Sequence, residues 1–199
     1  MRQQQKEWEE AQAWERNWWL SNPQMYTTEI AKGDIVAGWL GIRDMPTKSV
    51  LDIGCGPFSL LQRYTVGAGC AVDPIDYGPL EISYKIAGIT RLICRGEEIS
   101  QRLGEIVFDE AWVYNCLQHV EDPLAILHEA IKLSQRVRVF EWINIPPYTG
   151  HLQRLNERIL TQPFLMAGWH TDFSFTGTAD FEGLNGEFYT GVFRRKELS

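Results

Sequence analysis

The sequence predicts an α/β fold: a mostly parallel sheet with helices on both faces, preceded by a helical cap. Three observations carry that expectation. Short apolar runs at 49–53, 69–72, 91–94, 108–114 and 136–143 alternate with segments whose apolar residues fall at helical spacing, which is the pattern of strands joined by helical crossovers. A turn broken by two glycines, Gly54-Cys55-Gly56, follows the first run directly. An acid, Asp73, closes the second run about twenty residues past that turn, an offset that brings it beside the turn in a βαβ unit.

In chain order, residues 2–20 are rich in Gln, Glu, Arg and Trp and have no internal breaker. Trp8, Ala11, Trp14, Trp18 and Trp19 recur near helical spacing, and Asn22-Pro23 stops the helix. So many tryptophans on a short polar helix need a surface to cover. The sequence leaves three surfaces open: the core, a second copy of the chain in a homodimer, or a ligand site that the helix lids. A second helix is expected from Thr27 or Thr28, either of which can cap it, to about Leu40, where Gly41 ends it.

Between the first three strands, 59–66 and 79–87 read as helices. Asp122 is the expected N-cap of a helix opened by Pro123, with Leu124, Leu127 and Ile131 on one face and His128 at the surface. Two prolines stiffen the loop Asn144-Ile145-Pro146-Pro147-Tyr148-Thr149-Gly150-His151 at the carboxyl end of the fifth strand. Its likeness to the Pro-Pro-Tyr signature of amino-methylating DNA enzymes fails on position, because that signature follows the fourth strand. Residues 152–160 read as a helix ending before Pro163. The tail alternates apolar and polar residues over 169–176 and 187–195, a hairpin turning at Asn185-Gly186.

Composition narrows the functional classes. The chain has 199 residues, 44% of them hydrophobic and 12% aromatic, enough for one core and too few for two ordinary domains. We expect one domain over 1–199, with the cap at 1–45 and the core at 46–199. A net charge of -7 leaves no surplus of cations for a phosphate backbone, so nucleic acid is not expected as the main partner; a local basic face at Arg136 and Arg138 stays open. No run of roughly 18 apolar residues is present to span a membrane, and the expected location is the cytoplasm. Cys55, Cys70, Cys94 and Cys116 lack metal-ligand spacing and read as structural thiols, with no metal site.

The glycine turn is the chemical centre. Without Cβ atoms, Gly54 and Gly56 let a flat ligand lie against the backbone, and the free N–H groups after such a turn suit an anionic group. Asp52 at the strand end would repel a pyrophosphate and attract an ammonium group. Asp73 can accept both hydrogen bonds of a ribose diol. The two acids describe a nucleoside with a zwitterionic tail, as in S-adenosylmethionine.

Three segments in order, Leu51-Asp52-Ile53-Gly54-Cys55-Gly56, Asp73-Pro74, and Phe108-Asp109-Glu110 through Asn115-Cys116-Leu117-Gln118-His119-Val120-Glu121-Asp122-Pro123, resemble the Rossmann-type (class I) S-adenosylmethionine-dependent methyltransferases. The resemblance covers roughly 48–145. It implies a Rossmann-like sandwich whose seven-stranded sheet closes with an antiparallel hairpin, where periodicity alone allows other closures. It implies methyl transfer to a small-molecule acceptor at O, N or C. The cofactor would be held by Asp52, Ile53, Gly54, Cys55 and Gly56, by Asp73 and Pro74, and by Asn115 and Leu117. Glu97 or Glu98 would meet the adenine amino group, and Tyr26 would reach the carboxylate. Phe58 stands where the family usually carries a third glycine, and we expect it to form a wall of the pocket.

The sulfonium methyl needs no electrophilic activation, so only a proton acceptor is sought. His151 is the first candidate, its unperturbed pKa lying near working pH, against the alternative that it caps the following helix. His119 resembles a histidine that is often structural in the family, and Glu141 and Tyr148 are further candidates. Two other readings remain: a nicotinamide-dependent oxidoreductase, since Gly54-x-Gly56-x-x-Ser59 with Asp73 approximates a dinucleotide fingerprint, and a non-catalytic S-adenosylmethionine-binding module.

Overall fold

The structure, a computed structural model, describes residues 3–78, 82–181 and 184–196. Two helices, α1 (Gln3–Ser21) and α2 (Met25–Leu40), lead into β1 (Met45–Ile53). There follow β2 (Val66–Asp73), α3 (Ile82–Ile86), β3 (Thr90–Ile93), α4 (Ile99–Leu103), β4 (Phe108–Tyr114) and α5 (Pro123–Leu133). The chain ends with β5 (Ser134–Ile143), α6 (Glu157–Met166), β6 (His170–Phe181) and β7 (Leu184–Arg194). The seven strands form one sheet in the order β3-β2-β1-β4-β5-β7-β6. β1 to β5 pair in parallel, and β7 runs antiparallel to both β5 and β6. This is the mostly parallel sheet with a closing hairpin that the sequence resemblance implies.

Register decides where the site lies. Ile53 is level with Val72 on one side and Val113 on the other, and Val113 is level with Val139. The carboxyl ends of β2, β1 and β4 are therefore aligned, with β5 running on to Ile143, and the segments after them share one rim, where open α/β sheets gather their ligands.

Alternate residues of each strand face opposite layers. Leu51, Ile53, Val72, Ala111, Val113, Val137 and Val139 meet Ile126, Leu127, Ala130 and Leu133 of α5 and Phe164 of α6. Val50, Ala71, Trp112, Phe140 and Trp142 meet Val36, Ala37 and Leu40 of α2. Arg138 crosses this second layer buried, its Nε 2.6 Å and one terminal nitrogen 3.0 Å from the Glu110 carboxylate, and it also donates to the Leu40 carbonyl at the end of α2. Arg136 pairs with Glu110 and Asp172. The basic face left open by the sequence is thus engaged by acids.

Several boundaries differ from expectation. The helix expected at 59–66 is a single 3₁₀ turn, Leu60–Gln62, capped by Ser59, because β2 already starts at Val66 and leaves a short crossover. α2 covers that face instead: a Cβ on Gly33 would stand 2.9 Å from Leu60 Cδ2. α2 starts at Met25, so Thr27 and Thr28 lie inside it; the turn through Asn22 and Pro23 hands over to the helix directly, with Met25 N 3.0 Å from Asn22 O. Of the expected 79–87 helix, 82–86 is helical and 79–81 fall outside the described residues.

α6 is not at 152–160 but starts at Glu157, because Asn156 caps it with its side-chain oxygen 3.0 Å from Ile159 N. It continues through Pro163. Leu124 is exposed rather than sharing the buried face of α5 with Leu127; Ile126, Ala130 and Leu133 complete that face. Asn185-Gly186 is not the hairpin turn: Asn185 pairs with Asp180 and Gly186 with Ala179 inside β6–β7, and the connection at 182–183 falls outside the described residues. Apolar burial sets this register, since Phe188 and Val192 of β7 must face the layer of Phe140 and Trp142.

Candidate ligand-binding site

Gly54 and Gly56 both take positive φ, +72° and +57°. The amides of Gly54 and Cys55 both donate to Val72 O, at 2.8 and 3.1 Å, which folds the chain back over the end of β2. A Cβ on Gly54 would lie 2.3 Å from Cys116 Cβ, so only glycine fits there. Gly56 faces open space: a Cβ placed on it would have nothing within 4 Å. This is the backbone surface that a ligand can approach. Cys55 is buried, and burial pushes its thiol well above the usual range, so it is an inert turn residue.

Two buried acids support the turn. Asp52 is 2% exposed and accepts a hydrogen bond from the Ser59 hydroxyl; burial pushes its pKa up to about 7, against that hydrogen bond. Asp73 accepts from Gly56 N at 3.0 Å and Ile75 N at 2.9 Å, and its pKa is raised to about 6 by burial and then by the neighbouring Glu15 carboxylate of α1. Both Asp73 oxygens hold backbone N–H groups and keep lone pairs for a diol.

Next to Asp73 lies a cavity of about 50 Å³, lined by Ile53, Pro74, Gly96, Glu97 and Asn115, and roofed by Trp8, Gln12 and Glu15 of α1. Glu97 rather than Glu98 is brought here, where it pairs with Arg95 at 3.5 Å. Arg95 in turn stacks 4.4 Å from the Trp8 ring. The volume is far below the several hundred Å³ of ordinary ligand pockets.

A second cavity, of about 560 Å³, lies on the other side of the glycine turn. Its walls carry Trp14, Trp18 and Trp19 of α1, Phe58 of the turn, Tyr148 and Phe181; toward the sheet it meets Tyr114, Trp142 and Lys32. Tyr26 and Leu117 line neither cavity. Tyr26 packs between Trp19 and Phe58, with ring centroids at 5.7 and 4.4 Å, and Leu117 is wholly buried in the core with its N–H on Glu141.

The histidines join the roof to the rim. His119 Nδ1 is 2.9 Å from the Gly150 carbonyl and 3.2 Å from Glu15, two acceptors that assign the proton to this nitrogen; its own carbonyl accepts from Gln12 at 3.1 Å. Trp14 lies over the turn at Gly150, whose missing Cβ would come within 2.6 Å of the indole. His151 lies edge-on to His119 at 4.4 Å, with Nε2 3.0 Å from the Tyr148 hydroxyl and Nδ1 buried without a partner among the described residues. Burial, His119 and Lys32 depress its pKa to about 3, away from the working-pH value that its residue type suggests. Glu141 is fully buried, pushed up to about 8 by burial, and accepts from Cys116 N and Leu117 N at 2.8 Å each. It supports the bend at Asn115, whose φ is +51°, and lines neither cavity.

Sequence reasoning missed the inward-facing residues of the two cap helices: Gln12 and Glu15 of α1, and Lys32 with its partner Glu29 on α2. A buried Lys among the apolar residues of α2 was the available signal. It also missed Tyr114 and Trp142, which read as plain strand residues.

No family model matches the chain, and no curated protein matches it in sequence. Solved structures do match. A Burkholderia thailandensis 1,6-didemethyltoxoflavin-N1-methyltransferase, solved with 1,6-didemethyltoxoflavin and S-adenosylhomocysteine, is 19% identical, with 92% of this chain and 87% of that one covered and a TM-score of 0.62. Magnesium protoporphyrin IX methyltransferase from Synechocystis, solved with S-adenosylmethionine, is 18% identical over 83% of this chain and 80% of its own, with a TM-score of 0.57. The (4+2)-cyclase SpnF is 13% identical over 83% and 80%, with a TM-score of 0.64. The chain has the fold these proteins share.

Proposed function

We propose that this chain binds S-adenosylmethionine and transfers its methyl group to a small molecule. The observation that carries the reading is the convergence of Gly54 and Gly56 at positive φ with Asp73 and Glu97 beside the smaller cavity and the buried Asp52 beneath the turn, next to an aromatic cavity that the turn also lines. Asp73 would hold the ribose, Glu97 the adenine amino group, and the open face of Gly56 the methionine end. Asp52 supports the turn through Ser59 and adds negative charge opposite a cationic ligand.

The cofactor would supply an electrophilic methyl group on a positively charged sulfur. The protein's part is to align the acceptor, exclude water and handle a proton where there is one. His151, held neutral and against Tyr148, positions the acceptor more readily than it removes a proton, since a nitrogen that protonates only near pH 3 is a weak base. α1 would serve as the lid, latched by Glu15 and Gln12 on His119. The four cysteines are free and buried, which suits a reducing cytoplasm. Among the described residues, no helix is long and apolar enough to cross a membrane.

A second reading, cofactor binding without methyl transfer, is favoured by one finding: a protein named as a cyclase shares the fold. Thermal melts with S-adenosylhomocysteine, S-adenosylmethionine and NADH in parallel test the cofactor. At a hundredfold excess over its dissociation constant the right ligand adds about 2.7 kcal/mol. A shift with the first two alone is expected; a shift with NADH alone would overturn the proposal. Loss of S-adenosylmethionine in a mixture of candidate acceptors then separates transfer from binding.

A further inference from the structure

The larger cavity has a polar end that its aromatic walls do not explain. Tyr114 and Phe140 are paired across β4 and β5, and Trp142 lies two residues further on the same face, so all three side chains point toward α2. Trp142 is fully buried, yet its indole N–H has no partner among the described residues; the buried Tyr114 hydroxyl has none either. Lys32, 5% exposed, reaches this end from α2, with Nζ 5.9 Å from the Tyr114 ring centroid. It pairs with Glu29 and has further N–H groups to give.

An indole N–H is a donor only, and an ammonium group is a donor only. The ammonium has Glu29 as one partner and the indole N–H has none among the described residues, and a buried donor without an acceptor is costly, so this end suits a group that brings acceptor atoms. A cationic ligand would leave the indole N–H unmet and would face the Lys32 charge. A globular aliphatic ligand would leave the flat walls of Trp14, Trp18 and Phe58 unfilled. An aromatic ring fits both features, since it stacks on the walls and carries its oxygen or nitrogen acceptors to the polar end.

The charge state follows from the same geometry. Three donor groups, the Lys32 ammonium, the Trp142 indole N–H and the Tyr114 hydroxyl, line this end, so an acceptor oxygen or nitrogen is better met there as its anion than in its own O–H or N–H form. We propose that the acceptor is a flat aromatic or heteroaromatic acid, a phenol or a ring N–H, bound as its anion with the charge against Lys32 and the Trp142 and Tyr114 donors. An anion brings a free lone pair, so the site needs donors to hold it and no base to make it. The identity of the cavity as an acceptor site rests on the methyltransferase reading; its preference for a planar anion does not.

The test uses 7-hydroxycoumarin, a flat phenol whose neutral and anionic forms have distinct absorption bands. It is titrated into the full chain with and without saturating S-adenosylhomocysteine, beside benzamidine, a flat cation, and adamantane-1-carboxylate, a globular anion. The expected result is binding of the coumarin in its anionic band at a pH where the free dye is neutral, with both controls weaker. Trp142→Phe and Tyr114→Phe each keep a ring and remove a donor, and each should weaken dye binding roughly 3- to 10-fold. Melts with S-adenosylhomocysteine check that these variants are folded.

Binding of benzamidine or the adamantane acid as tight as the coumarin, capture of the dye in its neutral band, or no dye binding by the wild-type chain would overturn the proposal. Anionic dye binding without any S-adenosylhomocysteine shift would uphold the cavity's chemistry and refute the cofactor reading.

Discussion

Replacing Asp52 by Asn should make the protein more stable above neutral pH while removing its affinity for the cofactor. Asp52 is buried and its pKa is pushed from the ordinary 3.8 to about 7. Below pH 4 the acid is protonated in both folded and unfolded chains and the burial costs nothing. As pH rises from 4 to 7 the unfolded chain releases the proton and the folded chain holds it, so stability falls; above 7 both are ionised and the loss is complete. Three pKa units at 1.36 kcal/mol each set the loss at about 4 kcal/mol. The amide keeps an oxygen for the Ser59 hydroxyl but lacks the slope. Allowing for weaker hydrogen bonds, a gain of roughly 2 kcal/mol at pH 8, or about 4–8 °C in Tm, is expected. The assay is a series of thermal melts from pH 4.5 to 8.5 on both proteins, with and without S-adenosylhomocysteine. The Asn variant should gain on wild type as pH rises to about 7, hold that gain above it, and lose the ligand shift. A difference in Tm that does not change with pH would refute the reasoning, and so would an undiminished ligand shift.

Other outcomes follow from single contacts. Gly54→Ala should abolish ligand shifts and lower Tm, because its Cβ meets Cys116 Cβ at 2.3 Å; adding Cys116→Gly should recover part of the loss, which melts of the single and double variants would show. Arg138→Leu should destabilise the protein by less than the roughly 3–5 kcal/mol of a fully orphaned buried charge, because Glu110 loses its two closest bonds but keeps Arg136 at 3.6 Å and the Trp112 indole; the readout is a shift in the urea midpoint. Glu15→Gln with Gln12→Ala should raise hydrogen exchange in α1 while leaving the sheet protected, because both contacts anchor that helix to His119. Affinity for S-adenosylhomocysteine should fall as pH drops through about 6, where Asp73 takes up a proton and presents a poorer acceptor to the ribose; calorimetry across pH 5 to 8 measures it.

The sequence determined the parts of this protein that depend on neighbours along the chain. The strand at 108–114 and the Asp122 cap ahead of α5 were legible to the residue, because alternation and capping are local signals. Gly54, Asp52 and Asp73 were legible as a constellation, because a βαβ unit fixes where the end of the second strand falls. Glu97 and Glu98 could not be separated, since the choice depends on how the 3₁₀ turn at 96–98 faces a cavity formed by four other segments. The missing helix after the glycine turn, and its replacement by α2, depended on a packing contact between Gly33 and Leu60 that no local pattern encodes. The hairpin register overrode a strong Asn-Gly turn signal because burying Phe188 and Val192 against β5 outweighs a turn preference. Only the tertiary structure decided that His151 is held neutral, that Tyr26 and Leu117 stay out of the cavities, and that Lys32, Tyr114 and Trp142 meet. Burial, long-range charge and cross-strand register are properties of the assembled sheet and its cap, and they set both the pKa values and the polar end of the larger cavity.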